Sequence, residues 1–122
     1  MKSKEFEKYV ESIFEKYKNK LLIADRTFEI KYGLSNSDAL MESRTAYPYL
    51  SIILDYGDEV VDKWKKKDKT VKWVIIHELC HTITDPLYCK AITRYVGKNE
   101  IEDERENLTD KIANIILFNE KK

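Results

Sequence analysis

The sequence predicts an α+β fold, and three features lead to that prediction. The N-terminal segment repeats apolar residues every three or four positions, as an amphipathic helix does. The middle of the chain, residues 28–54, holds short segments with strand patterns, and the C-terminal half returns to helical spacing. With 122 residues, of which 43% are hydrophobic, the chain suits one domain over residues 1–122 with a single modest core.

The first predicted element is a helix from Ser3 to Leu22. Ser3 precedes the apolar stripe and has the side chain that an N-cap requires. Lysine and glutamate separate the apolar residues, so one face of the helix is predicted to pack on a core and the other to face water. The apolar stripe is formed by Phe6, Tyr9, Val10, Ile13, Phe14 and Tyr17.

Three strands are predicted next. Residues 28–32 alternate apolar and polar side chains and end at Gly33. Residues 39–46 are more polar and form a weak strand, which Tyr47-Pro48 interrupts. Residues 50–54 are almost entirely apolar, as in a strand that is covered on both faces. We therefore expect residues 39–46 at the sheet edge and residues 50–55 inside the sheet.

Helices are predicted for the rest of the chain. A short helix covers 58–67, and Asp68 or Thr70 caps a longer one that ends near Thr84, where Asp85-Pro86 stops it. The longer helix is apolar almost all round and is therefore expected to be buried. A short helix between Leu87 and Lys98, closed by Gly97, and a final helix opened by Asn99 complete the prediction.

The longer helix contains the strongest motif of the chain. His77-Glu78-Leu79-Cys80-His81 reads H-E-x-x-H and holds both histidines of the protein. Residues four apart lie on one helix face, so two imidazoles can bind one Zn²⁺ with Glu78 beside them as general base. Because buried polar groups need partners, a metal ion is a reasonable partner for this group.

A catalytic zinc site takes three protein ligands, and the sequence has no third histidine. The acidic segment 100–106 offers four glutamates. Glu102 has capping-box spacing from Asn99, Glu100 suits the positive end of the helix dipole, and Glu104 lies near an apolar stripe. Glu106 is therefore the favoured third ligand, with Glu102 kept as the alternative.

Asp110 follows Glu106 by one helical turn. Histidines that bind zinc usually donate their second N–H to a carboxylate or a carbonyl, which fixes the ring. Asp110 is well placed for that role if Glu106 is a ligand. Ala113 continues the same face, and its small side chain is expected to let the final helix approach the histidine helix closely.

These residues resemble a known family. The stretch His77 to Asp85, followed by Glu106-x-x-x-Asp110, is similar to the H-E-x-x-H…E-x-x-x-D signature of gluzincin metallopeptidases, with an active-site motif like that of thermolysin-like enzymes. The layout resembles the single-domain minigluzincins, which implies a small zincin-like domain: an N-terminal helix, a short three-stranded mixed sheet, a buried active-site helix and a C-terminal glutamate helix.

The resemblance also implies roles. Zinc would bind to His77, His81 and Glu106, Glu78 would act as base and proton shuttle, and Asp110 would orient His77. Asp85 would support the site, or would simply end the helix, and Cys80 would pack in the core. Larger gluzincins add a subdomain with a further histidine that stabilises the transition state; this sequence lacks a spare histidine, so the alternative donors considered are Tyr88, Arg94 and Tyr95.

The sequence is compatible with two functions. One is a zinc metalloendopeptidase that hydrolyses peptides or proteins, with activity that is weak or latent. The other is a zinc-stabilised, non-catalytic binding module with the same fold. A peptide substrate is expected to add a strand beside residues 39–46.

Partners and location follow from composition. The formal net charge is 0 and no apolar stretch approaches a membrane span, so nucleic acid and membranes are not expected partners. A run of lysines with two tryptophans is interpreted as a solvated helix face and connector. The charged N-terminus favours a cytoplasmic protein, in which Cys80 and Cys89 stay reduced. The lysine run consists of Lys63, Lys65, Lys66, Lys67, Lys69 and Lys72, with Trp64 and Trp73 between them.

Overall fold

The computed structural model describes residues 2–36, 38–46, 51–91 and 98–120, with the backbone alone at 45, 46, 86–91 and 98. The fold is α+β, as predicted, and within the described residues it has four helices and three strands. In chain order they are α1 (Lys4–Tyr17), β1 (Thr27–Tyr32), β2 (Met41–Ala46), β3 (Ser51–Tyr56), α2 (Asp58–Lys65), α3 (Thr70–Ala91) and α4 (Lys98–Glu120).

Helix α1 begins as predicted but ends earlier. The Ser3 side chain accepts a hydrogen bond from the Phe6 N–H at 3.2 Å, so Ser3 is the N-cap. The regular helix stops at Tyr17 rather than at Leu22. Leu22 has a left-handed φ of 59°, and the following N–H of Ile23 bonds to the Lys18 carbonyl at 2.9 Å. This is the geometry of a helix terminus, and it turns the chain toward β1.

The sheet has the order β1-β3-β2, so the predicted edge position of residues 39–46 and the inner position of residues 50–55 are confirmed. Strand β3 pairs in parallel with β1 and in antiparallel with β2, which makes the sheet mixed. Ile52, Leu54 and Tyr56 of β3 are fully buried. Asp55 is also buried, and the Arg44 guanidinium binds its carboxylate at 2.6 and 2.8 Å.

The core lies between the sheet and α1, α2, α3 and α4. Helix α1 contributes the stripe that its spacing predicts, and the Tyr56 hydroxyl fixes the start of α1 by donating to Glu7 at 2.5 Å. Ala113 of α4 is fully buried, as the close approach of α4 to α3 requires. The buried residues of α3 are Val71, Ile75, Ile76, Leu79 and Cys80.

Helix α3 is longer than predicted, and the expected end at Asp85-Pro86 is wrong. The helix continues to Ala91, so residues 87–91 belong to it rather than to a separate short helix; residues 92–97 lie outside the described residues. A proline inside a helix costs about 3 kcal/mol because its i−4 carbonyl loses its donor. Here that carbonyl belongs to Thr82, and Arg26 Nη1 donates to it at 2.8 Å.

Helix α4 begins at Lys98, so Asn99 lies inside the helix rather than at its N-cap. Helix boundaries assigned from sequence commonly differ by a residue. The consequence is modest for the site, because the spacing from Glu106 to Asp110 and Ala113 does not depend on where α4 starts. Helix α4 runs antiparallel to α3, because His77 lies beside Asp110 and His81 beside Glu106.

Candidate metal centre

Helix α3 brings His77, Glu78 and His81 together. The two histidines lie one turn apart, and their side chains are only 11% and 7% exposed. One ligand atom from each of the three residues lies within 4.8 Å of the others. This buried group could hold a metal ion, because imidazole and carboxylate are both common metal ligands.

The two imidazoles face each other through the same ring atom. His77 Nε2 and His81 Nε2 are 3.1 Å apart, and the rings meet edge to face at an interplanar angle of 85°. Two such nitrogens repel each other if neither carries a proton and nothing lies between them. The arrangement therefore needs a proton or a cation at this point.

The opposite nitrogen of each ring meets a carboxylate. His77 Nδ1 lies 2.8 Å from Asp110 Oδ1, and His81 Nδ1 lies 3.0 Å from Asp85 Oδ1. The His81 contact is a hydrogen bond; the His77 contact is short but is not aligned as one. Carboxylates in these positions favour a proton on Nδ1 and leave the Nε2 lone pairs free to bind a metal ion.

Glu106 reaches the same point from α4. Its Oε1 lies 3.4 Å from His77 Nε2, and its Oε2 lies 3.1 Å from His81 Nε2. Oε2 is buried and has no hydrogen-bond partner among the residues that the structure describes. Two nitrogens and a carboxylate therefore converge, which is a donor set that fits a divalent metal ion. The assignment of Glu106 as third ligand stays a prediction.

Glu78 belongs to the same group but has different surroundings. Its carboxylate lies 3.9 Å from His77 Nε2, farther than that of Glu106, and it forms a hydrogen bond with the Ser43 side chain of β2. Burial raises the pKa of Glu78 to about 7; His81 and Ser43 oppose the rise, whereas Glu106 and Asp85 add to it. A carboxyl with a pKa near neutrality can both accept and return a proton.

The pKa of His81 is raised as well. Burial lowers the pKa, but the hydrogen bond to Asp85 and the negative charges of Glu78, Asp85 and Glu106 outweigh that effect. In the metal-free protein, a proton on His81 therefore relieves the repulsion between the two Nε2 atoms. A metal ion would have to displace that proton.

A cavity of about 320 Å³ opens beside these residues, between β2, α3 and α4. Glu78 and His81 line it on one side, Glu106 and Arg105 on another, and Ser43 on the side of the edge strand. The acidic groups thus border an open cavity rather than being sealed in the core. The remaining lining residues are Asn36, Ala39, Met41, Glu42 and Asp85.

Arg105 and Ser43 were not predicted as site residues. Arg105 Nε lies 3.3 Å from Glu106 Oε2, and its Nη1 lies 3.8 Å from Asp85 Oδ1, so one guanidinium faces both carboxylates that contact His81. Its position directly before Glu106 is a sequence signal that could have drawn attention to it. Ser43 had no such signal, because only the packing of β2 against α3 brings it to Glu78.

A second missed pair lies next to His77. The Trp73 ring packs on the His77 ring with centroids 5.0 Å apart, and Trp73 Nε1 donates to Asn114 Oδ1 at 2.9 Å. Trp73 precedes His77 by four residues, and Asn114 follows Asp110 by four. The pair thus repeats the His77–Asp110 contact one turn earlier on α3 and one turn later on α4, and it joins the two helices beside the candidate site.

The remaining predictions have mixed outcomes. Cys80 is fully buried in the core, as expected, and burial raises the pKa of its thiol to about 12. Asp85 lies inside α3 and contacts His81, so its expected role as the helix stop is wrong. The Tyr88 side chain, Arg94 and Tyr95 lie outside the described residues, so their proposed role as donors stays a prediction.

The lysine run has partners at both ends. Lys63 pairs with Asp68 at 3.6 Å, and Lys72 pairs with Glu120 at 2.6 Å. The run spans the end of α2, the connector and the start of α3, and its interpretation as a solvated surface stays a prediction. None of the helices in the described part of the chain is long and apolar enough to cross a membrane.

No protein-family model, curated protein or solved structure matches the chain. The resemblance to gluzincins stays a prediction from the sequence motif, and what the structure adds is a His77, Glu78 and His81 group that could hold a metal ion.

Proposed function

We propose that the protein is a single-domain, zinc-dependent metallopeptidase of the gluzincin type, with His77, His81 and Glu106 as zinc ligands. The observation that carries the proposal is the pair of Nε2 atoms 3.1 Å apart. Two imidazoles on a tetrahedral zinc ion at 2.0–2.1 Å place their nitrogens about 3.3 Å apart. The separation in the structure is therefore already close to what zinc requires, and the donor types are those of catalytic zinc sites.

Zinc, when bound, would supply Lewis acidity that polarises the substrate carbonyl and activates water. The protein supplies the proton transfer. Glu78 accepts a proton from the attacking water, whose oxygen adds to the carbonyl carbon of the peptide bond. Glu78 then returns the proton to the amide nitrogen as the C–N bond breaks, so no other acid is needed. The Ser43 hydroxyl favours the ionised form of Glu78, and both residues line the cavity.

The edge strand suggests how a peptide would bind. Among the strands that the structure describes, β2 pairs with β3 alone, and Ser43 of β2 lines the cavity together with Glu78. A peptide that adds a strand to the free edge of β2 would carry one of its carbonyls past Glu78 and His81. Main-chain pairing of this kind favours extended peptides over folded substrates.

A zinc-stabilised module that does not hydrolyse peptides is the second candidate. Both histidines of the sequence are taken by the metal group, so no imidazole remains to stabilise a transition state. In that case, zinc would hold α3 to α4, and the cavity would bind a partner without catalysing a reaction.

Two measurements test the proposal. Metal analysis of the purified protein is expected to give one zinc ion per chain, and His77→Ala is expected to lose it. A protein without stoichiometric zinc, or His77→Ala with unchanged zinc, would contradict the zinc site itself. Glu78→Gln is expected to retain zinc and to lose at least about 100-fold in peptide hydrolysis, whereas the exposed Glu104→Gln on α4 serves as the control.

The same variants separate the two functions. A parent protein that binds zinc but cleaves no member of a diverse peptide library, before or after trimming of its termini, favours the binding module. Hydrolysis that survives in Glu78→Gln would contradict the role of Glu78 as base.

A further inference from the structure

The backbone of α3 contains a local defect close to the candidate site. Pro86 has no N–H, yet the helix continues through it to Ala91. In a regular helix, the N–H at position 86 would donate to the carbonyl of Thr82. Thr82 is fully buried, so water cannot readily replace the missing donor. The segment after Thr82 therefore needs another donor if it is to stay helical.

Arg26 supplies that donor. Its Nη1 lies 2.8 Å from the Thr82 carbonyl oxygen and donates a hydrogen bond to it. Arg26 precedes β1 and is 56 positions away in the sequence, so the contact is tertiary rather than local. A guanidinium can place a charged N–H on a carbonyl, which is stronger than the neutral hydrogen bond that it replaces.

The position of this contact matters for the metal group. Asp85 lies directly before Pro86 and one helical turn after His81, and its Oδ1 accepts from His81 Nδ1 at 3.0 Å. That geometry exists only while α3 stays helical from position 81 to position 85. A helix that ended at Thr82 would leave Asp85 without a fixed direction.

We propose that Arg26 is a positioning residue for the metal centre: by donating to the Thr82 carbonyl in place of the N–H that Pro86 lacks, it keeps α3 helical through Asp85 and holds the Asp85 carboxylate on His81. Arg26 acts on the site through Thr82 and Asp85. The proposal rests on the proposed zinc site for its affinity measurement, and it also has a measurement on the metal-free protein.

A double-mutant cycle on the full chain, with Zn²⁺ alone as the ligand, tests this link. Arg26→Met removes the donor and keeps an apolar stem, and Pro86→Ala restores the backbone N–H. Arg26→Met is expected to weaken zinc affinity by about 10-fold, as the loss of an orienting partner does. In the Pro86→Ala background, the same substitution is expected to change affinity by less than about twofold.

Arg44→Met is the matched control, because it removes an arginine whose two hydrogen bonds go to buried Asp55 of β3 rather than to the Thr82 carbonyl. It lowers stability without touching Thr82, so its zinc affinity is expected to equal that of the parent. An equal loss of affinity in Arg26→Met and Arg26→Met/Pro86→Ala would overturn the proposal. If Arg26→Met does not fold, recovery of folding in the double variant supports the proposal, and failure to recover overturns it.

The metal-free measurement separates this proposal from the zinc site. In nitrogen-correlated NMR spectra of the apo protein, the parent and Arg26→Met/Pro86→Ala are expected to show a slowly exchanging His81 Nδ1–H, held by its hydrogen bond to Asp85, whereas Arg26→Met is expected to lose that signal. If the parent binds no zinc but shows this pattern, the zinc site is wrong and the role of Arg26 stands. If Arg26→Met keeps the parent pattern, the role of Arg26 is wrong whatever the zinc content.

Discussion

Asp110 Oδ1 on α4 lies 2.8 Å from His77 Nδ1 on α3, so α4 reaches the side of the imidazole opposite to its Nε2 atom. We expect Asp110→Asn to weaken zinc affinity by 10- to 100-fold, because the amide no longer fixes the ring with a negative charge. Competition with a chromophoric chelator measures the change. Asp103→Asn, an exposed carboxylate on the same helix, is expected to bind zinc as the parent does, and an equal loss in both variants would contradict the role of Asp110.

The choice between Glu106 and Glu102 as third ligand is open to a direct comparison. Glu106 lies beside both Nε2 atoms, at 3.4 Å from that of His77 and 3.1 Å from that of His81. Glu106→Ala is therefore expected to lower zinc content at equilibrium with a weak chelator to well below half of the parent value. Glu102→Ala, one turn earlier on α4, is expected to retain zinc. The reverse result would transfer the ligand role to Glu102.

Ser43 gives a prediction about catalysis. Its hydrogen bond favours the ionised form of Glu78, so Ser43→Ala is expected to raise the pKa of Glu78. Since a general base must be ionised, the acidic limb of kcat/KM should move to higher pH, by up to about one unit for one hydrogen bond. Zinc content should be unchanged. An acidic limb that does not move would show that Ser43 does not act on the base.

The folding stability of the metal-free protein and that of the zinc-bound protein should change with pH in opposite directions. Burial, above all, raises the folded-state pKa of Glu78 from 4.5 to about 7, so the fold favours its neutral form and loses stability as pH rises through that window. The raised pKa of His81 acts in the same direction: its contribution is fully present below 6.5 and is lost as pH rises through the folded pKa. Metal ligands must be deprotonated, so zinc should reverse the trend.

Urea unfolding at pH 5 and pH 8, with a chelator or with zinc, measures both trends. We expect the free energy of unfolding of the metal-free parent to fall between these pH values more than that of Glu78→Gln. With zinc, the parent should be more stable at pH 8 than at pH 5. Equal pH dependence of the parent and Glu78→Gln without metal would contradict the raised pKa of Glu78.

Much of the fold could be predicted because its elements carry local patterns. The Ser3 cap, the alternation in residues 28–32 and the apolar run of residues 50–54 each specify an element and its environment. The edge and inner strands followed from the polarity of residues 39–46. The motif His77–His81 identified the centre of the site for the same reason, since i,i+4 spacing fixes which side chains share a face.

The rest could not be predicted, because it depends on contacts between distant segments. No local rule shows that Arg26 reaches the Thr82 carbonyl, so Pro86 was expected to end α3. The approach of Ser43 to Glu78 likewise depends on the packing of β2 against α3. For Leu22, a left-handed backbone at a leucine contradicts the residue preference on which sequence prediction relies.

The antiparallel match of α3 and α4 makes the site far more sensitive to insertions than to substitutions. Trp73 meets Asn114, His77 meets Asp110, and His81 meets Glu106, so each step of four residues on one helix corresponds to a step of four on the other. One residue inserted between Glu106 and Asp110 would rotate the remainder of α4 by about 100°. His77 and Trp73 would then lose their partners together, while every individual side chain was still present. Chain length within these two helices is thus as much a determinant of the site as the identity of its ligands.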